Sequence, residues 1–158
     1  MTAFDGGSAE TVWFRSAFEA APDPVIVAEL PGRMWWNRAA QAFLLPSPLE
    51  VDSRGFELRV DLRFPSGERV SLDRLPLLRA LRGEVIRGEE YVIHAPDGRM
   101  VPVLVSAAPV GEGEIEGSIA IVRDVTSLKS LESLRERWTA MVAHDLKVEA
   151  EKIDRARR

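Results

Sequence analysis

Residues 56–64 read FELRVDLRF. Phe56, Leu58, Val60, Leu62 and Phe64 alternate with Glu57, Arg59, Asp61 and Arg63. That period of two predicts a strand with one face in a core and the other in water. Upstream, VIVAEL (25–30) reads as a strand, Leu30-Pro31-Gly32-Arg33 as a turn and MWWN (34–37) as a second strand, together a hairpin. Asn37 is placed to cap the helix RAAQAFLL, which Pro46 and Pro48 end. A flanking helix is expected over residues 8–21. Ser8 caps it, Phe14 and Phe18 share a face with Ala17 and Ala21, and Pro22 and Pro24 stop it. Residues 1–7 are expected to be disordered.

Downstream, PSGE is a turn and LPLLRALR (75–82) a short helix, with Pro76 in its first turn and Gly83 just past its end. EYVIHA (90–95), RMVPVLVSAAPV (99–110) and SIAIVRDV (118–125) read as strands. They are joined by Pro96-Asp97-Gly98 and by the acidic GEGEIEG, and Pro102 hints at an edge or a bulge. This order predicts an α+β fold: a five-stranded antiparallel sheet with short helices on one face. From Thr126 onward there is no glycine or proline. Leu128, Leu131, Leu134, Trp138, Met141 and Val142 recur at steps of three and four. That is the stripe of an amphipathic helix close to a coiled coil, leaving the domain near Val125.

The totals fit one domain plus an appendage in 158 residues. A net charge of -4 gives no general attraction to nucleic acid or anionic membrane. The absence of cysteine excludes disulfides, thiolate metal sites and thiol chemistry. No apolar run reaches the roughly 20 residues that span a bilayer, and MTAFDGGSAE lacks the pattern of a signal peptide. A soluble, cytoplasmic protein is expected.

These residues resemble a PAS sensor domain joined to the start of a bacterial sensor histidine kinase. DPVIVAEL followed by MWWNRAAQAFL is similar to the family's first hairpin and the helix after it. RLPLLRALRGEVIRGEEYVIHAPDGRMVPVLVSAAPV is similar to a run common in kinase-linked PAS domains. IVRDVT (121–126) matches the signature that closes them, and MVAHDLK (141–147) looks like the opening of the phosphoacceptor segment. The resemblance implies a PAS domain over 22–126 and a coiled-coil signalling helix with the start of the phosphoacceptor segment over 127–147. The tail over 148–158 is charged and atypical: Val148 and Glu149 depart from the kinase pattern, so the chain is expected to be a sensor cut just past its phosphoacceptor box.

The resemblance makes His144 the phosphoacceptor and Asp145 its assisting acid. In the parent kinase ATP and magnesium would supply the phosphoryl group and a response regulator would receive it. Asp124 and Thr126 would pass movement from sheet to helix, and the 128–142 stripe would form a homodimer. Each also has a plainer reading: a solvated His-Asp pair, simple helix capping, and packing onto the domain's own sheet. Trp35, Phe43, Arg79 and Met100, with Trp36, are candidates to line a pocket for an unknown small ligand. No cofactor is evident. A flavin adduct needs a cysteine, and His94, in register with Val92, is poorly placed as an axial haem ligand. No metal cluster is expected. The alternative is an autonomous interaction module or a ligand receptor without kinase activity.

Overall fold

The hairpin expected at residues 25–37 is present, and it opens the sheet. The computed structural model describes residues 8–44, 49–51, 55–95 and 97–158. Expectations for residues 1–7, for the stop at Pro46 and Pro48 and for Pro96 lie outside those residues. The chain divides into two units, Met1–Asp124 and Val125–Arg158.

In the first unit, α1 (Ala9–Ala20) starts at Ser8, whose Oγ accepts the Thr11 N–H at 3.2 Å. Strands β1 (Val25–Glu29) and β2 (Arg33–Trp36) pair antiparallel, with Ile26 opposite Trp36 and Ala28 opposite Met34. Then come α2 (Arg38–Leu44), β3 (Leu49–Val51), β4 (Glu57–Arg59), β5 (Leu62–Arg63), a 3-10 turn (Leu72–Arg74) and α3 (Pro76–Ala80). Three long strands close the unit: β6 (Ile86–His94), β7 (Met100–Val110) and β8 (Gly117–Asp124). The sheet is antiparallel, in the order β2-β1-β8-β7-β6-β5.

This sheet has six strands rather than the expected five. The stretch FELRVDLRF is also two strands, not one. Its first half, β4, pairs with β3 in a separate ribbon, and its second half, β5, pairs with β6. The change of partner falls at Val60 and Asp61. The Asp61 carbonyl accepts the His94 N–H at 3.0 Å, and its carboxylate lies 3.3 Å from Arg63 and 3.7 Å from Arg69. The inward alternation survives the break, because Phe56, Leu58 and Leu62 are all buried. Strand β6 begins at Ile86, earlier than expected, because a bulge lies between Ile86 and Glu89. Gly88 supplies its φ of +60°, and the Gly88 N–H donates to Ser106 Oγ at 2.9 Å.

Helices α2 and α3 pack on one face of the sheet, as expected. Ala40, Leu44, Leu77, Leu78 and Ala80 join Ile26, Ala28, Ala120, Val122, Val103, Val105, Tyr91 and Ile93 in one buried cluster. Each fully buried Leu or Ile contributes about 1.5–3 kcal/mol. Helix α3 uses Pro76 at its first turn, as read from the sequence.

The second unit is a single helix, α4 (Thr126–Ala156), of 31 residues with none buried. It runs through residues 148–156 without a break at Lys147. No described helix is long and apolar enough to cross a membrane.

Candidate functional site

A fold of sheet and helix can act through an interior space, a polar contact between layers, or an exposed surface. The described residues offer examples of each.

The interior space lies under α3, between the sheet and β4. It is a cavity of about 40 Å³ lined by Trp36, Leu58, Val60, Leu62, Leu75, Leu77 and further apolar neighbours. Pockets for drug-sized ligands run to about 300–1,000 Å³ with a few convergent polar groups. This one is far smaller, and its lining residues are all apolar. Trp35, Phe43, Arg79 and Met100 do not line it, so the pocket expected from them is not assembled there. Trp35 faces the other side of β2 and donates its indole N–H to Glu29 Oε2 at 3.1 Å. Met100 is 58% exposed at the start of β7. Phe43 packs against the edge of the core. Only Trp36, of the residues first considered, reaches the cavity.

Arg79 belongs to the polar contact. From α3 it donates to both carboxylate oxygens of Glu89 on β6, at 2.7 and 3.2 Å, and to Glu84 at 2.9 Å. Tyr91, buried on the same strand face, donates its hydroxyl to Glu89 Oε2 at 2.6 Å. The Arg79 hydrogen bonds hold the Glu89 carboxyl below the usual glutamate range, and they raise the Arg79 pKa in turn. Burial, aided by Glu89, pushes the Tyr91 phenol up to about 12, so it stays a neutral donor. This cluster bolts α3 to β6 where the bulge ends.

A second internal tie centres on Asn37, which is fully buried. Its Oδ1 accepts the Ala40 N–H at 2.9 Å, the cap expected from the sequence, and also the Val25 N–H at 2.9 Å. Its Nδ2 donates to the carbonyls of Asp23 at 3.0 Å and Ala21 at 3.3 Å. One side chain thus joins the end of α1, the start of β1 and the start of α2. Sequence gave the cap; the other three bonds depend on tertiary neighbours.

The exposed surface is α4. Leu128, Leu131, Leu134, Trp138, Met141 and Val142 are each about half exposed or more, and Leu146 and Ile153 extend the series. His144 and Asp145 are exposed on the same helix. At three and four residues beyond Met141, they lie on its side of the helix. Asp124 is the last residue of β8. Thr126 is the first residue inside α4 rather than its cap. The capping position is Val125, whose aliphatic side chain has no acceptor for a cap bond. Among the described residues no group of three or more His, Asp or Glu side chains is placed to hold a metal ion.

No curated protein matches the chain in sequence. A sensory box histidine kinase/response regulator from Burkholderia thailandensis E264 shares 15% identity, with a TM-score of 0.50, over 83% of this chain and 98% of that one. The PAS domain of a protein from Colwellia psychrerythraea shares 19% identity, with a TM-score of 0.48, over 73% of this chain and 97% of that one. An RNA-binding light-oxygen-voltage receptor shares 15%, with a TM-score of 0.53, over 89% of this chain and 41% of that one. At such identities the likeness to the first and the third speaks to the fold alone. The sequence profile described as PAS fold matches residues 18–130, which takes in all six strands of the sheet and the helices packed on it. The chain belongs to the PAS fold family.

Proposed function

We propose that this chain is the sensory and dimerisation module of a two-component sensor histidine kinase, working in the cytoplasm. A signal biases the PAS domain between two arrangements, and α4 reports the bias to His144 by rotation or a change of register. In the parent kinase, His144 would present an unprotonated ring nitrogen to the phosphoryl group of magnesium-bound ATP. Asp145 would assist, and a response regulator would be the onward acceptor.

The observation that carries this reading is the uncovered stripe of α4, which runs past His144 and Asp145. A helix without buried residues draws little stability from its own chain, and most helical stability comes from packing of an apolar face. A parallel partner helix would cover Leu131, Leu134, Trp138 and Met141 at the spacing of a heptad seam.

Native mass spectrometry of the purified chain tests it. A dimer is expected, converting to monomer in the double variant Leu131→Glu, Leu134→Glu. A monomeric wild type would overturn the dimerisation reading. Substitutions at Asp124 and Thr126 that leave the output of the parent kinase unchanged would overturn the relay. A discrete added mass on the dimer would favour a ligand receptor instead.

A further inference from the structure

At the end of the sheet where β8 begins, four large aliphatic side chains are exposed: Leu30 by 40%, Val85 by 55%, Val110 by 46% and Ile115 by 38%. They come from separate segments: the β1–β2 turn, the α3–β6 connection and the tip of the β7–β8 hairpin. The backbone brings these segments together. The Leu30 N–H donates to the Glu116 carbonyl at 2.8 Å, and the Glu116 N–H donates to the Val110 carbonyl at 2.9 Å. Ile115 Cδ1 lies 3.6 Å from where a Cβ on Gly83 would stand, two residues before Val85. A single exposed aliphatic residue is ordinary, whereas a group drawn from three segments marks an interaction surface.

The charge beside this apolar end has one sign. The hairpin loop 111–117, GEGEIEG, sets Ile115 between Glu114 and Glu116, with Glu112 in the same loop. All three carboxylates are exposed, and the chain has no lysine or arginine between Arg99 and Arg123. Neighbouring Glu84 already has its cation, Arg79, at 2.9 Å. The loop backbone is fixed. Gly111 lies so close to the Glu114 carbonyl that any Cβ there would overlap it, and Gly113 has a φ of +90°. A partner therefore meets a surface that is already ordered, and little entropy is lost on binding it.

We propose that this end of the sheet receives a basic amphipathic helix from another protein. The aliphatic row of that helix lies on Leu30, Val85, Val110 and Ile115, and its flanking lysines or arginines face Glu112, Glu114 and Glu116. Charge selects this occupant. The same end of a second copy would set carboxylates against carboxylates, and anionic lipid or nucleic acid would meet the same repulsion. The contact is independent of the α4 dimer.

The probe is a fluorescein-labelled synthetic helix of leucine, lysine and arginine, with its leucines at steps of three and four. Fluorescence anisotropy reads its binding to the full chain carrying Leu131→Glu and Leu134→Glu, which removes the α4 stripe as a competing apolar surface. Binding is expected, and a peptide of the same composition in scrambled order should bind about tenfold more weakly. Adding Ile115→Ser, which keeps every charge, should weaken binding about tenfold, as should adding Glu112→Gln with Glu114→Gln. Raising the salt from about 50 mM to about 500 mM should weaken it about fivefold. These side chains are exposed, so the variants leave the core intact. No binding, equal binding of the ordered and scrambled peptides, or an Ile115→Ser chain that binds like its parent overturns the docking. Oligomers of the Leu131→Glu, Leu134→Glu chain that vanish when its basic end, KIDRARR (152–158), is deleted would also overturn it, in favour of a second copy as the occupant.

Discussion

Replacing Asn37 with alanine removes four hydrogen bonds made by a fully buried side chain. Loss of the α2 cap costs about 1 kcal/mol. The Val25 N–H, left buried without a partner, costs about 1–3 kcal/mol. The Ala21 and Asp23 carbonyls are only part-buried and can turn toward solvent, so they add about 0.5–1 kcal/mol together. The total, about 2.5–5 kcal/mol, is a large fraction of the roughly 5–15 kcal/mol that holds a domain folded. Urea unfolding followed by the fluorescence of neighbouring Trp35 and Trp36 should show the midpoint fall by about 2 M, for a slope near 2 kcal/mol per M. Gln41→Ala, which removes one exposed bond to the Trp36 carbonyl, is the control and should shift stability by less than about 0.5 kcal/mol. Asn37→Asp separates the acceptor and donor halves. One carboxylate oxygen keeps the Val25 and Ala40 bonds, while the other faces two carbonyls. Its folded pKa is therefore raised above the unfolded value of about 3.9. The penalty is absent below the unfolded value, where both states are protonated, and complete above the folded one. This variant should approach wild type as the pH falls and lag furthest near neutrality. An Asn37→Ala loss within about 1 kcal/mol of zero would refute the reasoning, because two buried amides cannot lose their acceptor that cheaply.

Glu89 gives a pH dependence of the opposite sign. Its carboxyl is depressed by Arg79, so its contribution is complete above the unfolded glutamate value of about 4.3 and is lost as the pH falls through the folded value. Thermal melts from pH 6 down to pH 2.5 should therefore show a falling limb that is shallower in Arg79→Met and in Glu89→Gln. Ser118→Ala deprives the buried Leu77 carbonyl of the hydroxyl that donates to it at 2.8 Å, and chemical denaturation should show a loss of about 1–2 kcal/mol. Gly117→Ala would drive a methyl group into the Ala28 carbonyl across the β1–β8 pairing, and the melting temperature should record a loss of about 2–4 kcal/mol.

Local signals carried most of the fold. The hairpin at 25–36, the Ser8 and Asn37 caps, the Pro76 turn and the stripe of α4 are each written in a few adjacent residues. The inward face of FELRVDLRF was legible because alternation is local. Its division between the β3–β4 ribbon and the main sheet was not, because β6, the partner of its second half, lies far downstream in the chain. The β6 start was hidden by Gly88, which interrupts alternation at the bulge. Arg79 was read toward a pocket because its partner Glu89 lies on another element, and an arginine alone does not announce its acceptor. Met100 and Trp35 were candidates to line a pocket, but short-range sequence does not say which face of the sheet a residue takes. The sheet pairing turns both to the outer face.

The position of β8 has a consequence for synthesis. This strand is the last of the sheet to leave the ribosome, yet it lies between β1 and β7. The Arg123–Asp23 ion pair beside it joins positions a hundred residues apart. Until β8 emerges, the main sheet exists at most as a β1–β2 hairpin and a β5–β6–β7 ribbon, each with an unpaired edge. Closure is therefore a single late event, slow relative to folds dominated by local contacts. A chain stalled or cleaved before Gly117 would yield not a smaller domain but two open edges, the kind that pair with other chains and draw in chaperones.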